Sequence, residues 1–193
     1  MKKLLIVGGS GTIARAFLNE YYDHYDFHCI ARNERHLAEI KRDFPMVDIY
    51  TGNIENKTQL FYQFDKIRPD IVVHMAAMKH VNLVEENPIQ GAIINVQGSL
   101  NVIEACIRTD VPVTVGLSTD KACAPENVYG YTKSILESCF LESNSDRNKF
   151  ACTRFANVAL TSDSVIPLWK TLIKEDKPLK LTDIKMNRLM FSQ

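Results

Sequence analysis

Apolar and polar positions alternate along the chain in blocks of two kinds. Lys3 to Val7 is a short run, apolar from Leu4 onward, of the kind buried on both faces of a parallel sheet, and Gly8-Gly9-Ser10-Gly11 turns the chain straight after it. Thr12 to His24 then shows helical spacing. The same alternation continues: strands are predicted at Phe27 to Ala31, Val47 to Thr51, Ile71 to His74, Val113 to Leu117 and Phe150 to Phe155. Helices are predicted at Glu34 to Asp43, Asn56 to Lys66, Pro88 to Thr109 and Asn127 to Asn144. Pro88 suits the first turn of its helix, where a fixed φ and a missing N–H cost nothing. Beyond Phe155 the pattern weakens to one helix, Ser164 to Ile173, and a short strand, Leu179 to Leu181.

Strands alternating with helices imply an α/β fold, a doubly wound parallel sheet of Rossmann type. Right-handed crossovers bring the loops after the strands to one edge, where ligands of such sheets bind. The glycine turn, His74 to Lys79, and Ser118 to Lys121 all fall on that edge. The expected organisation is a dinucleotide-binding domain over 1–157, followed over 158–193 by the beginning of a small C-terminal lobe.

Composition narrows the function classes. The 193 residues carry 23 basic and 23 acidic side chains, a formal net charge of +0, with 46% hydrophobic and 24% charged residues. That balance gives no electrostatic reason to expect nucleic acid or an anionic membrane as partner. Five cysteines, Cys29, Cys106, Cys123, Cys139 and Cys152, show no Cys-x-x-Cys pair and read as reduced thiols, without a metal site, in a cytoplasmic protein. Met1-Lys2-Lys3 before an apolar run resembles a signal peptide, but the run is too short and ends in glycines. No stretch approaches the roughly 18 apolar residues of a membrane helix.

Gly8 to Ala14 follows a strand and opens a helix, fitting Gly-x-Gly-x-x-Ala from Gly9. Glycines there let backbone approach a pyrophosphate, and the helix N-terminus offers free N–H groups with a favourable dipole. Gly8, Ser10, Gly11, Thr12 and Ile13 are therefore expected to hold a dinucleotide. At the end of the second strand an NAD site wants an acid; Arg32 stands there instead, placed to pair with a 2′-phosphate, so NADP is expected, with NAD left open through Glu34.

The densest chemistry lies between Ser118 and Lys133. Tyr129 and Lys133 form a Tyr-x-x-x-Lys pair on one helix face. The lysine charge is expected to lower the phenol pKa, so that Tyr129 can take a proton from a sugar hydroxyl while hydride leaves for a nicotinamide. Thr119, Asp120 and Lys121 precede the pair. The acid and amine make sense if water is eliminated from the sugar, and equally as a solvent-facing ion pair.

These residues, with His74-Met75-Ala76-Ala77-Met78-Lys79-His80-Val81, Asn95 to Val102, Arg154 to Val158 and Leu181 to Met186, give the chain a resemblance to the extended short-chain dehydrogenase/reductases. It is most similar to soluble, C5-inverting UDP-N-acetylglucosamine 4,6-dehydratases of the polysaccharide biosynthesis protein family. The resemblance implies that Thr119 binds the sugar O4, Asp120 is the acid at C6, Lys121 the base at C5, Tyr129 the base for oxidation, and Lys133 its support and a ligand of the nicotinamide ribose. It also implies cofactor contacts from Asn53, where relatives carry an aspartate reading the adenine, and from Ile54, Ala76, Ala77, Lys79 and Asn95. A UDP-sugar substrate and a homo-oligomer paired through the two long helices are further implications.

Two departures stand out. Ala159 to Ser164 replaces the family's usual glycines and arginine near the substrate. The sequence stops at Gln193, where relatives continue into a lobe that grips the UDP. Three readings follow: a dehydratase or its cofactor domain, an epimerase or reductase on the same scaffold, and a nucleotide-binding protein without turnover. A structural subunit pairing with a complete homologue is a fourth.

Overall fold

The computed structural model describes residues 1–159, 165–179, 181, 183–187 and 189–191. The chain forms two compact units, Met1–Arg154 and Phe155–Gln193.

The first unit is a six-stranded sheet in the order β3-β2-β1-β4-β5-β6, built from β1 (Lys3–Val7), β2 (Asp26–Ala31), β3 (Asp48–Thr51), β4 (Ile71–His74), β5 (Val113–Thr119) and β6 (Lys149–Phe155). The ladders β1·β2, β1·β4, β2·β3 and β4·β5 are parallel. The order reverses between β1 and β4, which is where a doubly wound sheet opens its ligand crevice. Between strands run α1 (Thr12–Tyr21), α2 (Glu34–Asp43), α3 (Lys57–Ile67), α4 (Val81–Glu86), α5 (Pro88–Ala92), α6 (Gly98–Arg108) and α7 (Val128–Glu142).

The apolar runs of β1 and β2 are continuous because both faces are covered. Leu4 and Ile6 join Ala14, Leu18, Phe27, Cys29, Leu37 and Ile40 on the side of α1 and α2. Leu5 and Val7 join Ile30, Leu60, Phe64, Val102, Leu136 and Phe140 on the side of α3, α6 and α7. Helix starts follow their caps: Asn33 accepts from the His36 N–H, Asn56 from Gln59 and Asn127 from Gly130.

Three features depart from the sequence reading. The predicted single helix from Pro88 to Thr109 contains a π-helical turn, Ile93–Gln97, between α5 and α6. The apolar spacing runs through it unbroken, so periodicity does not reveal it. Helix α4 sits where only a loop is read, and Asp120–Ala122 forms a 3₁₀ turn.

The second unit contains α8 (Val165–Lys174) and a parallel pair of β7 (Asn157–Val158) and β8 (Met190–Phe191). The predicted strand at Leu179 to Leu181 is not formed by Leu179 or Leu181, and Lys180 lies outside the described residues. The backbone partners of β7 come from later in the chain: the Asn157 N–H donates to Leu189 O and the Ala159 N–H to Phe191 O. Of the departure at Ala159 to Ser164, all but Ala159 lies outside the described residues.

Candidate active site

The glycine turn is fixed by contacts across the sheet edge. Gly8 has φ +94°, and a Cβ there would meet Ala76 N at 2.5 Å and Ala76 Cα at 2.8 Å. The N–H groups of Met75 and Ala76 donate to Val7 O (2.7 and 2.9 Å), and those of Gly8 and Gly9 donate to Ile30 O (2.8 and 3.1 Å). The loops after β1 and β4 therefore touch backbone to backbone, and only glycine has both the dihedral and the room. Gly11, exposed, is the N-cap of α1 and provides no side-chain cap. The first N–H groups of α1, around Thr12 and Ile13, keep the donor capacity that an anion satisfies. This is the cradle a pyrophosphate requires, and Ser10, Ala76 and Ala77 border it, all partly buried.

Arg32 lies just past β2, exposed, beside Asn33, whose side chain is committed to its cap. Asn53 is tied to Glu55: its Nδ2 donates to Glu55 Oε2 (2.5 Å), its Oδ1 accepts from the Glu55 N–H (3.3 Å), and Gln90 Nε2 donates to Glu55 Oε1 (2.7 Å). Ile54 points into the core, where its side chain fills the space left by Gly98, and its carbonyl accepts from Asn101 Nδ2 (2.8 Å). Lys79 is exposed in the loop after β4.

Asn95 sits in the π-helical turn, fully buried. Its Oδ1 accepts from the Met78 N–H (2.7 Å); its Nδ2 donates to Met78 O (3.0 Å) and Thr132 Oγ1 (3.0 Å). Thr132 Oγ1 donates to the Tyr129 carbonyl (2.8 Å). One amide thus ties the loop after β4 to the helix that carries Tyr129. A π turn at such a junction is a common device at functional sites.

Thr119, Asp120 and Lys121 lie at the end of β5 and in the turn that follows it. Thr119 Oγ1 donates to Asp120 Oδ1 (2.9 Å), and Lys121 Nζ donates to the same oxygen (3.0 Å). Partial burial pushes the Asp120 carboxyl up, but the hydrogen bonds from Lys121 and Thr119 and the Lys121 charge outweigh it and hold the group below its ordinary value. Helix α7 rests on this turn because residue 130 has no side chain: a Cβ on Gly130 would lie 2.6 Å from Lys121 O. The helix start is fixed further by Glu85 of α4, whose Oε2 accepts from the Val128 N–H (2.9 Å). Neither Gly130 nor Glu85 is singled out by the sequence reading. The glycine between two tyrosines was the available signal.

Tyr129 departs from expectation in sign. Burial pushes its phenol above the ordinary value, the Thr119 hydroxyl opposes this by hydrogen bonding, and the Asp120 carboxylate adds to the rise. Lys133 is not among the groups that shift it. It is buried, and desolvation lowers it to about 8. Two anionic forms would oppose that: Cys152, whose thiol is itself pushed up to about 11 and so stays neutral there, and Glu137 one turn along α7. Glu137 is held by Arg154 of β6 through two bonds, Nε to Oε1 at 2.9 Å and Nη2 to Oε2 at 2.7 Å, a fork-to-fork pair. Tyr131, the competing phenol, faces solvent.

A glycine cradle at the switch point of a doubly wound sheet, with tyrosine and lysine on the helix after β5, defines a protein of the short-chain dehydrogenase/reductase class. The profile of the polysaccharide biosynthesis protein family matches residues 4–192, and the chain belongs to that family. It is 35% identical to the inverting UDP-N-acetylglucosamine 4,6-dehydratase of Campylobacter jejuni serotype O:2, over 99% of this chain and 60% of that protein. It is 30% identical to the UDP-glucose 4-epimerase of Rickettsia bellii, over 99% of this chain and 59% of that protein. The X-ray structure of Pen from Bacillus thuringiensis superposes with a TM-score of 0.92 at 33% identity, covering 99% of this chain and 61% of that one. The chain spans about 60% of the length of these relatives. Among the described residues no helix is long and apolar enough to cross a membrane, and no group of acidic, histidine and cysteine side chains is arranged to hold a metal ion.

Proposed function

We propose that the chain is the cofactor domain of an NADP-dependent 4,6-dehydratase acting on a UDP-N-acetylhexosamine of the UDP-N-acetylglucosamine type. The hydrogen-bonded Thr119–Asp120–Lys121 turn, held against the Tyr129 helix by Gly130, carries the reading. The residues fit a dinucleotide: the Gly8 cradle would close on any Cβ, and the uncapped start of α1 takes an anion. Gly8, Ser10, Gly11, Thr12 and Ile13 would hold its pyrophosphate. Arg32 would hold a 2′-phosphate, Asn53 the adenine, Ala76, Ala77 and Lys79 the middle, and Tyr129 and Lys133 the nicotinamide ribose. Ile54 and Asn95 would act by shaping the loops around it. When bound, the dinucleotide supplies a reversible hydride acceptor.

Tyr129 takes the O4 proton, with the Thr119 hydroxyl fixing that oxygen. Once C4 is a ketone the C5 proton is acidic; Lys121 removes it, and Asp120 protonates the departing C6 hydroxyl, which leaves as water. The C5=C6 bond so formed would then be reduced: C6 takes back the hydride that left C4, and C5 takes a proton, the equivalent of the one Tyr129 removed from O4, which gives the 4-keto-6-deoxy sugar and restores the starting protonation state. The resting pair already holds the single proton the elimination requires. As carboxylate and ammonium it stores the proton on Lys121, and movement along their 3.0 Å hydrogen bond produces the acid and the base together. Raising Tyr129 by burial makes it a stronger base once ionised and a poorer one before, so substrate or cofactor must favour the phenolate. Exposed apolar side chains on the two long helical stretches, Ile93, Leu100 and Ile107 on one and Tyr131 and Ile135 on α7, support pairing of two copies through these faces.

Protein incubated with NADP and UDP-N-acetylglucosamine should release a 4-keto-6-deoxy product visible by mass as loss of water. A product with an intact 6-hydroxyl and inverted C4 establishes instead the epimerase, the second reading, which the similarity to the Rickettsia protein favours. Bound dinucleotide without any product establishes a binding protein.

A further inference from the structure

His74 ends β4 behind the site and is fully buried. Its Nε2 lies 2.9 Å from Ser99 Oγ, and Ser99 Oγ donates to the Asn95 carbonyl at 2.6 Å. A serine hydroxyl has one hydrogen. That hydrogen is spent on Asn95, so Ser99 can only accept from His74, and His74 is the Nε2–H tautomer. Its Nδ1 is then a bare lone pair, and among the described residues it has no hydrogen-bond partner. An unpaired buried acceptor is uncommon and costly. Lys133 supplies the complementary group: it is buried, its ammonium carries three donors, and its helix packs on His74, whose ring stacks on Phe140 two turns along at 6.3 Å. The two groups share an environment: burial first, then the Lys133 charge, lowers the His74 imidazole to about 3, so it stays neutral beside the lysine.

We propose that His74 is a positioning residue for Lys133, its Nδ1 lone pair serving as the buried acceptor of the lysine ammonium, reached by a change of lysine rotamer or through one bridging water, with Ser99 fixing the tautomer that keeps this lone pair available. Asn95 thus serves both sides of the site. Its side chain holds Met78 and Thr132, and its carbonyl, through Ser99, sets the tautomer of His74. The other charged or titratable groups around Lys133 are Glu137 on its own helix, paired with Arg154, and Cys152 on β6. On Tyr129 the corresponding group is Asp120. The importance of His74 for turnover rests on the role proposed above for Lys133, but the contact itself does not.

The test uses the whole chain without ligand. Protein labelled with [13C]lysine is titrated by NMR, and the Lys133 Cε signal is assigned by its loss in Lys133→Met. His74→Gln keeps a polar group toward Ser99 and removes the acceptor at the Nδ1 position. His74→Asn keeps an acceptor there and loses the reach to Ser99. Both abolish the ring stacked on Phe140. The Lys133 midpoint should fall by about one pH unit, a tenfold change in protonated fraction, in His74→Gln, and by clearly less in His74→Asn. Equal shifts in the two variants, or none in His74→Gln, overturn the proposal. A readout free of His74 variants uses [15N]histidine protein. The long-range 1H–15N spectrum should show the Nε2–H tautomer, with an Nδ1 resonance that moves toward that of a bare lone pair in Lys133→Met. An Nδ1–H tautomer, or an Nδ1 signal indifferent to Lys133, overturns it. If these hold and no dehydratase activity is found, the proposed reaction fails while the contact stands.

Discussion

Lowering the pH should destabilise this protein through one identifiable group. His74 is fully buried, and its folded-state value drops from 6.5 to about 3, through burial and then the Lys133 charge. In the unfolded chain it takes up a proton near pH 6.5; in the native protein it does not until about pH 3. Between those values the unfolded state binds more protons, so stability rises with pH. The contribution is fully present above pH 7 and is lost as pH falls. Each pH unit between the two values is worth about 1.4 kcal/mol, so the loss from pH 7.5 to pH 5 is about 2 kcal/mol. That is a large fraction of the 5–15 kcal/mol typical of a domain. Urea unfolding followed by circular dichroism at pH 7.5, 6.5, 5.5 and 5.0 measures it, on the natural protein and on His74→Asn. The variant will start from a lower stability, which does not matter; the slope does. Every other ionisable group is common to the two proteins, so the difference between the slopes isolates His74. The natural protein should lose about 2 kcal/mol more than the variant over this range. Parallel curves would show that His74 is reachable by a proton in the folded state, and the charge environment described around Lys133 would be wrong.

Gly8→Ala places a Cβ 2.5 Å from Ala76 N at φ +94°, so it should cost about 2 kcal/mol or more in urea unfolding and abolish dinucleotide binding measured by fluorescence titration; binding within a factor of two of the natural protein would refute the cradle. Glu137→Gln removes the anion nearest Lys133 on its own helix, so the lysine midpoint should drop below about 8 in the same NMR titration, and an upward move would contradict the assignment. Ile135→Asp, on the exposed face of α7, should convert a dimer to a monomer on size-exclusion chromatography without changing the circular dichroism spectrum; a natural protein already monomeric at high concentration sinks the pairing of the long helices.

The parallel sheet was legible because burial on both faces leaves the middle of a strand with no polar position. Lys3 to Val7 and Ile71 to His74 read as strands for that reason, and the glycines after β1 mark the crevice. What escaped the sequence has a common physical cause: it depends on which groups meet across the fold. Apolar spacing runs unchanged through Ile93–Gln97, and only the demand of Asn95 for Met78 on one side and Thr132 on the other distinguishes a π turn from an α turn there. The Tyr129–Lys133 spacing correctly places two side chains on one helix, but the sign of a pKa shift follows from neighbours and dielectric. The Lys133 charge bears on His74 and Glu137, while burial and Asp120, read as a partner in elimination, push the phenol up. The tyrosine and lysine are therefore two separately tuned groups in the free protein. Tyr129 answers to the Thr119–Asp120 turn and Lys133 to a buried back wall of His74, Glu137 and Cys152. A ligand that hydrogen-bonds both would couple them, so proton abstraction by Tyr129 should depend on occupation of the dinucleotide site and not on the helix alone.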